Sequence, residues 1–141
     1  MNKFKQIRPI VLGVIIKDNK ILVNEGYDEI TNPKFYRCLG GGIEFQESSI
    51  EALKREFLEE IGKEIIIKDF LGLAENIFTF NGKPGHEIVL FYSADFKPSD
   101  YQEEYVMIED NEEPQKAFWM NIDDFKNGNS TIYPTEVLKY I

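Results

Sequence analysis

A chain of 141 residues, 43% hydrophobic and 13% aromatic, can bury one core without disulfides or a structural metal, so residues 1–141 read as a single domain. Asp and Glu outnumber Lys and Arg by 25 to 16, and the resulting charge of -9 repels polyanions and excludes a nucleic-acid binder; it also repels a phosphorylated small molecule unless a bound cation and a few local Lys or Arg reverse the sign in the pocket. Cys38, the single cysteine, excludes an internal disulfide and a cysteine-based zinc cluster, suits a reducing cytoplasm and reads as a buried, inert thiol.

Lys3, Lys5 and Arg8 precede the apolar run Ile10 to Ile16, which is too short to cross a membrane, so no membrane segment is expected there. Residues 7–17 (IRPIVLGVIIK) predict a buried strand, and Asp18-Asn19-Lys20 turns it into a second short strand at Ile21-Leu22-Val23. Residues 34–38 predict another strand that runs into Leu39 and the glycines 40–42, read as a loop that lets backbone approach a ligand. From Ser48 the period becomes helical: Ile50, Leu53, Phe57 and Ile61 form one apolar face, Ser48 and Glu51 fit a capping box, and Gly62 fits a left-handed cap, predicting a helix over 48–61.

Beyond the helix, 65–67 and 71–80 predict strands, 81–85 a turn and 86–96 a long strand. Residues 101–115 are acidic and read as irregular, 117–120 as one more strand, and Asn121 and Pro134 as starts of short helical segments. The fold class that follows is α/β (α+β), a mixed β-sheet with helices packed on it.

On a helix turning about 100° per residue, Glu56, Glu59 and Glu60 share one arc beside the apolar face. Three such anions repel weakly in solvent and attract a divalent cation, and oxygen-only donors suit Mg²⁺, with Mn²⁺ possible. Taken alone the spacing more often marks a solvated acidic face.

The company of these glutamates decides between the readings. The segment GGIEFQESSIEALKREFLEEIG (41–62) resembles the Nudix box, G-x5-E-x7-R-E-U-x-E-E-x-G-U with U apolar. Gly41, Glu47, Arg55, Glu56, Glu59, Glu60 and Gly62 match, and seven fixed identities at about 6–7% each coincide by chance at roughly 10⁻⁸ per starting position. Lys63 departs from the final apolar slot, past the helix cap.

The resemblance implies a Nudix-like α/β/α sandwich and Mg²⁺-dependent cleavage of a diphosphate linkage in a nucleoside diphosphate joined to another moiety. It implies that Glu56, Glu59, Glu60 and the Gly40 carbonyl hold the metal, that Arg55 orients those carboxylates, and that Glu47 fastens loop to helix. The base that takes a proton from the attacking water is sought among Glu59, Glu60 and Glu87. For Glu87 and the single histidine, His86, a plain strand-end position weighs against a place in the site. Arg37 and Arg8 are candidates for substrate phosphate or for surface ion pairs, and Phe45, Tyr27 and Phe80 for stacking on a base or for core.

By elimination of other markers, a nucleoside triphosphate, ordinary or oxidised, is favoured, with ADP-ribose or a dinucleotide as the alternative. Two competing readings stay open: a catalytically silent Nudix-like module that binds a nucleotide metabolite, and an isomerase of prenyl diphosphates, for which Cys38 would be the reactive group. The expected partner is a small nucleotide, and a homodimer is compatible with the family.

Overall fold

The computed structural model describes residues 5–31, 33–108 and 115–141; Lys3 and positions 109–114 of the acidic stretch lie outside the described residues. Among the described residues, nine strands divide between two sheets. β1 (Ile7–Val14), β5 (Leu39–Gly42), β6 (Ile65–Phe80) and β7 (Lys83–Phe96) form one in the order β5-β1-β7-β6. β2 (Ile16–Lys17), β3 (Lys20–Tyr27), β8 (Glu104–Met107) and β9 (Gln115–Asn121) form the other in the order β2-β3-β9-β8, with β4 (Lys34–Arg37) pairing residues Asn24 to Tyr27 of β3, beyond the stretch that pairs β2. β1 runs parallel to β7 and antiparallel to β5, so the first sheet is mixed.

Strand alternation makes both faces of this sheet apolar. Val11 and Ile15 face a core built with Leu53, Phe57 and Ile61 of helix α1 (Ser49–Ile61), whereas Ile10, Leu12 and Val14 face a second core with Ile122 and Phe125 of helix α2 (Ile122–Lys126) and Val137 of a 3₁₀ turn at Thr135–Tyr140. Helical elements thus cover both sides of a mixed sheet, as the α/β/α reading anticipates.

Helix α1 begins where the sequence places it, with Ser48 Oγ accepting from the Glu51 N–H at 3.1 Å, and it ends at Gly62 with φ 69°. Its last turn holds no basic residue, and the orphan carbonyl of Glu60 accepts from the Ile108 N–H at 2.6 Å. The buried face is Ala52, Leu53, Phe57 and Ile61; Ile50 in the first turn is 43% exposed, a correction to the predicted face.

Several strand boundaries also differ from prediction. The run 7–17 breaks at Ile15 into β1 and β2, and the strand predicted at 21–23 extends to Tyr27. Residues 65–80 form one strand because two register shifts between Ile67 and Gly72 absorb the irregular middle as bulges. The predicted five-residue turn contracts to Asn81-Gly82, whose φ values of 53° and 75° suit a two-residue hairpin, so Lys83–Gly85 already pair. Glycines 40–42 belong to strand β5 rather than a loop. Residues 104–107, read as irregular, alternate exposed and buried and form β8, with Tyr105 and Met107 inward.

Candidate active site

Arg55 is the hub of the charged cluster. Its Nε and Nη2 donate to Glu47 Oε2 and Oε1 at 2.7 and 2.9 Å, a two-pronged clamp that fits a planar guanidinium to a carboxylate. Nη2 also donates to the Gly42 carbonyl at 2.9 Å, and Nη1 donates to Glu56 Oε1 at 3.0 Å and Glu59 Oε2 at 3.2 Å. Strand β5, the loop and helix α1 are therefore tied through one side chain. The hydrogen bonds from Arg55 hold the Glu47 carboxyl below the usual carboxylate range, and the same bonds push the guanidinium pKa up.

The loop is closed by its own backbone, with the Glu47 N–H donating to the Glu44 carbonyl at 3.0 Å and the Glu44 N–H to Glu47 Oε1 at 3.1 Å. Gly41 lies against the Glu56 carboxylate: a Cβ there would stand 2.6 Å from both of its oxygens. A larger residue at this position would displace the Glu56 carboxylate from the place where Arg55 holds it.

Two cavities open beside these groups and share Arg8. The outer one, about 410 Å³, is lined by Arg8, Gly42, Glu44 and Glu56. The inner one, about 250 Å³, is lined by Arg8, Arg37, Gly40, Gly41, Glu60 and Glu87 on its polar side. Glu56 and Glu60 thus reach different cavities from one helix, Glu60 Oε1 is buried, and the side chain of Glu59 is 60% exposed.

Glu87, on β7, is not a solvent-facing strand end. Its side chain is 6% exposed, and Oε1 accepts from Arg37 Nη2 at 2.9 Å. Arg37 comes from β4 of one sheet and Glu87 from β7 of the other, so the pair bridges the gap between them. Arg8 has no ion-pair partner among the described residues.

The other candidates do not gather here. His86 points toward Glu75, with Nε2 3.6 Å from Oε2, and lines neither cavity. Phe45 is 93% exposed on the loop, Tyr27 is half exposed, and Phe80 packs edge-on against Phe35 at 5.9 Å, all outside both cavities. Cys38 lines the inner cavity, and burial pushes its thiol up to about 12, which keeps it protonated at neutral pH. Asn24 and Met107 also line that cavity; sequence reading passed over both. Asn24 follows the apolar run 21–23 as an ordinary strand-end polar residue, and Met107 lies in the acidic stretch.

Whether the residues suit a divalent cation is a question of donors and of geometry. Glu56, Glu59 and Glu60 on one helical arc and the Gly40 carbonyl on β5 are all hard oxygen donors, the type that Mg²⁺ prefers. The donor chemistry fits. The carboxylates are not gathered into a cage, because among the described residues no three His, Cys, Asp or Glu side chains converge, and Arg55 bonds both Glu56 and Glu59.

A family model described as the NUDIX domain matches residues 7–139. Solved structures agree on the fold: a MutT protein from Methanosarcina mazei Go1 superposes with TM-score 0.65 at 21% identity, covering 96% of this chain and 93% of that one. A MutT NUDIX hydrolase from Burkholderia pseudomallei gives TM-score 0.61 at 20% identity, covering 95% and 96%, and a NUDIX hydrolase from Nitrosomonas europaea gives 0.58 at 22%, covering 95% and 85%. No curated protein matches. Among the described residues no helix is long and apolar enough to cross a membrane. The family generally uses divalent cations and acts on small nucleotides, and with its model spanning the glutamate helix and both sheets, the chain belongs to the Nudix hydrolases, pyrophosphohydrolases of nucleoside diphosphate-linked substrates.

Proposed function

We propose that residues 1–141 act as one cytoplasmic domain that hydrolyses a nucleoside triphosphate, ordinary or oxidised, with Mg²⁺ as the working cation and Mn²⁺ as a substitute. The observation that carries this is the arrangement of Glu56 and Glu60, on one helix, lining two cavities that meet at Arg8. Glu56, Glu59, Glu60 and the Gly40 carbonyl would hold the cation, which when bound neutralises phosphate charge and lowers the pKa of a water.

The chain's own residues supply the rest. Arg55 positions Glu56 and Glu59, and Glu47 fixes Arg55 against the loop. Gly41 leaves the space that the Glu56 carboxylate occupies. Of the two candidate phosphate contacts, Arg8 carries a charge with no ion-pair partner among the described residues, whereas that of Arg37 is matched by Glu87. Proton removal from the water falls to Glu59 or Glu60 on the helix or to Glu87, which faces the cavity of Glu60 from β7.

The test is direct chromatographic identification of the products formed from a nucleotide panel, with Mg²⁺ and with excess chelator. The expected outcome is activity that chelator abolishes and that Glu60→Gln lowers at least about a hundredfold in kcat. Activity that persists in chelator removes the metal assignment. Nucleotide binding without turnover in Mg²⁺ would favour the silent binding module. ADP-ribose turned over faster than any triphosphate would change the substrate and keep the chemistry.

A further inference from the structure

The hairpin that carries Glu87 runs past the end of its sheet. Among the described residues β1 first pairs β7 at Ile7 and His86, whereas β6 and β7 stay paired out to Phe80 and Lys83, so residues 78–85 form a ribbon of two strands with no third strand beside them. Two strands alone are marginal in water and need packing to hold a position. Glu87 lies at the root of this overhang, with Arg8 of β1 as its register partner.

Arg37 is held differently. β4 pairs β3 along one edge, and along the other the Tyr36 N–H donates to the Thr131 carbonyl and the Tyr133 N–H to the Tyr36 carbonyl, both at 2.9 Å. The Arg37–Glu87 pair thus joins a strand fixed on both edges to the root of a projecting ribbon, and the ribbon is the member whose position needs fixing.

A second tie fixes it at the tip. Asp28, in the loop after β3, is 6% exposed. Its Oδ1 accepts from the Ile30 and Thr31 N–H groups at 2.9 and 3.0 Å, which shapes the loop, and its Oδ2 accepts from the Asn81 N–H at 3.1 Å. The Asn81 side chain returns the contact, with Oδ1 accepting from the Glu29 N–H at 2.7 Å. Between this latch and the Arg37–Glu87 pair, Phe35 of β4 meets Phe80 of β6 edge-on, so the contacts follow one seam from the tip to the cavity.

We propose that Asp28 is a positioning residue for the reaction: by clasping Asn81 it holds the overhang against the loop after β3 and keeps Glu87 in place against Arg37 in the wall of the inner cavity. The inference rests on the hydrolase reading above and deepens it. Asp28 touches no substrate and acts through the strands of the hairpin. Misplacement by about 1 Å can cost on the order of a hundredfold in rate even when the substituted residue lies far from the chemistry.

Two substitutions open the latch from opposite sides. Asp28→Asn keeps an oxygen for the loop N–H groups and turns an NH₂ toward the Asn81 N–H, whereas Asn81→Gly tolerates the φ of 53° in the turn and removes the side chain. Steady-state kinetics with Mg²⁺ on the nucleotide turned over fastest should show kcat/KM about tenfold lower in each, and a further loss below about twofold when either is added to Glu87→Gln, because the group they position is already changed. Asn121→Ala, which removes the side-chain acceptor of the Asp123 N–H at the start of α2, controls for stability: its thermal midpoint falls and its kcat/KM stays within about twofold of wild type. Losses that multiply with that of Glu87→Gln, an equal loss in Asn121→Ala, unchanged kcat/KM in both latch variants, or a Glu87→Gln chain as active as wild type overturn the proposal. A measurement without turnover separates its failure from that of the hydrolase reading. If no nucleotide is hydrolysed, the hydrolase reading falls and the guanidinium resonances of Arg37 decide: shifts in both latch variants and not in Asn121→Ala uphold the positioning role, and unshifted resonances remove it.

Discussion

Two arginines in this chain are matched by carboxylates, and the two arrangements are built differently. Arg55 makes five hydrogen bonds to groups between one and thirteen positions away, all on strand β5, its loop and helix α1, and among its partners Glu59 is exposed. Arg37 gives one bond to a carboxylate fifty positions away, and that carboxylate is buried between two sheets. The first is a local device that sets the angle of a helix and its carboxylates. The second depends on the whole fold, since neither sheet alone brings its members together.

The largest expected effect breaks the local device. Arg55→Lys keeps the charge and loses the planar fork, so Glu47, the Gly42 carbonyl and Glu56 cannot all be served. Activity on the best nucleotide should fall about 10–100-fold, the range found when groups that orient metal ligands are removed, while stability falls by only about 1–3 kcal/mol. A kinetic assay at a temperature where the variant is fully folded, paired with urea unfolding, checks both; activity within about threefold of wild type in the folded variant would make Arg55 merely structural.

Arg37→Ala tests the long-range pair and should show the opposite balance. Removing one partner strands the Glu87 carboxylate, which costs about 3–5 kcal/mol in a fully buried pair. With the Arg37 side chain 29% exposed, the loss should lie below that range. Glu87→Gln asks a separate question in the same assay: a drop in kcat with KM kept marks Glu87 as the base, and an unchanged kcat removes it from that role.

The smallest effect is a pH dependence. Hydrogen bonds from Arg55 keep the folded-state pKa of Glu47 below its ordinary value of 4.5. The stabilisation is therefore present above about pH 4.5 and is lost as pH falls through the folded value. The thermal midpoint of Glu47→Gln should fall less steeply than that of the wild type in that acid window. Parallel curves would detach Glu47 from the hub. Asp28, whose carboxyl is lowered by backbone N–H groups of Thr31 and Asn81, contributes in the same direction to both proteins.

The contrast also explains what could be read in the sequence. Helix α1 and its caps follow from short-range periodicity and from Ser48 and Gly62, and the Arg55 partners lie within the same motif. Strand limits were harder, because pairing partners rather than local preference decide them. Glycines 40–42 become a strand only because β1 lies alongside, and the acidic surroundings of Tyr105 and Met107 hide the alternation that makes β8. The burial of Glu87 is set by the pairing of β7 with β1 and by Arg37 of the opposite sheet, partners distant in sequence that no local pattern encodes. Ile50 shows the reverse, since its spacing is right and its burial is not.

The end of α1 carries a further consequence. Carbonyl dipoles make a helix C-terminus partly negative, and a Lys or Arg in the last turn adds about 0.3–1 kcal/mol. This helix has none there and instead places Glu59 and Glu60 against its own negative pole. Stability has been given up at the point where a positive ion would be welcomed, a trade-off between robustness and activity. A lysine at position 59 should make the helix sturdier and the enzyme worse.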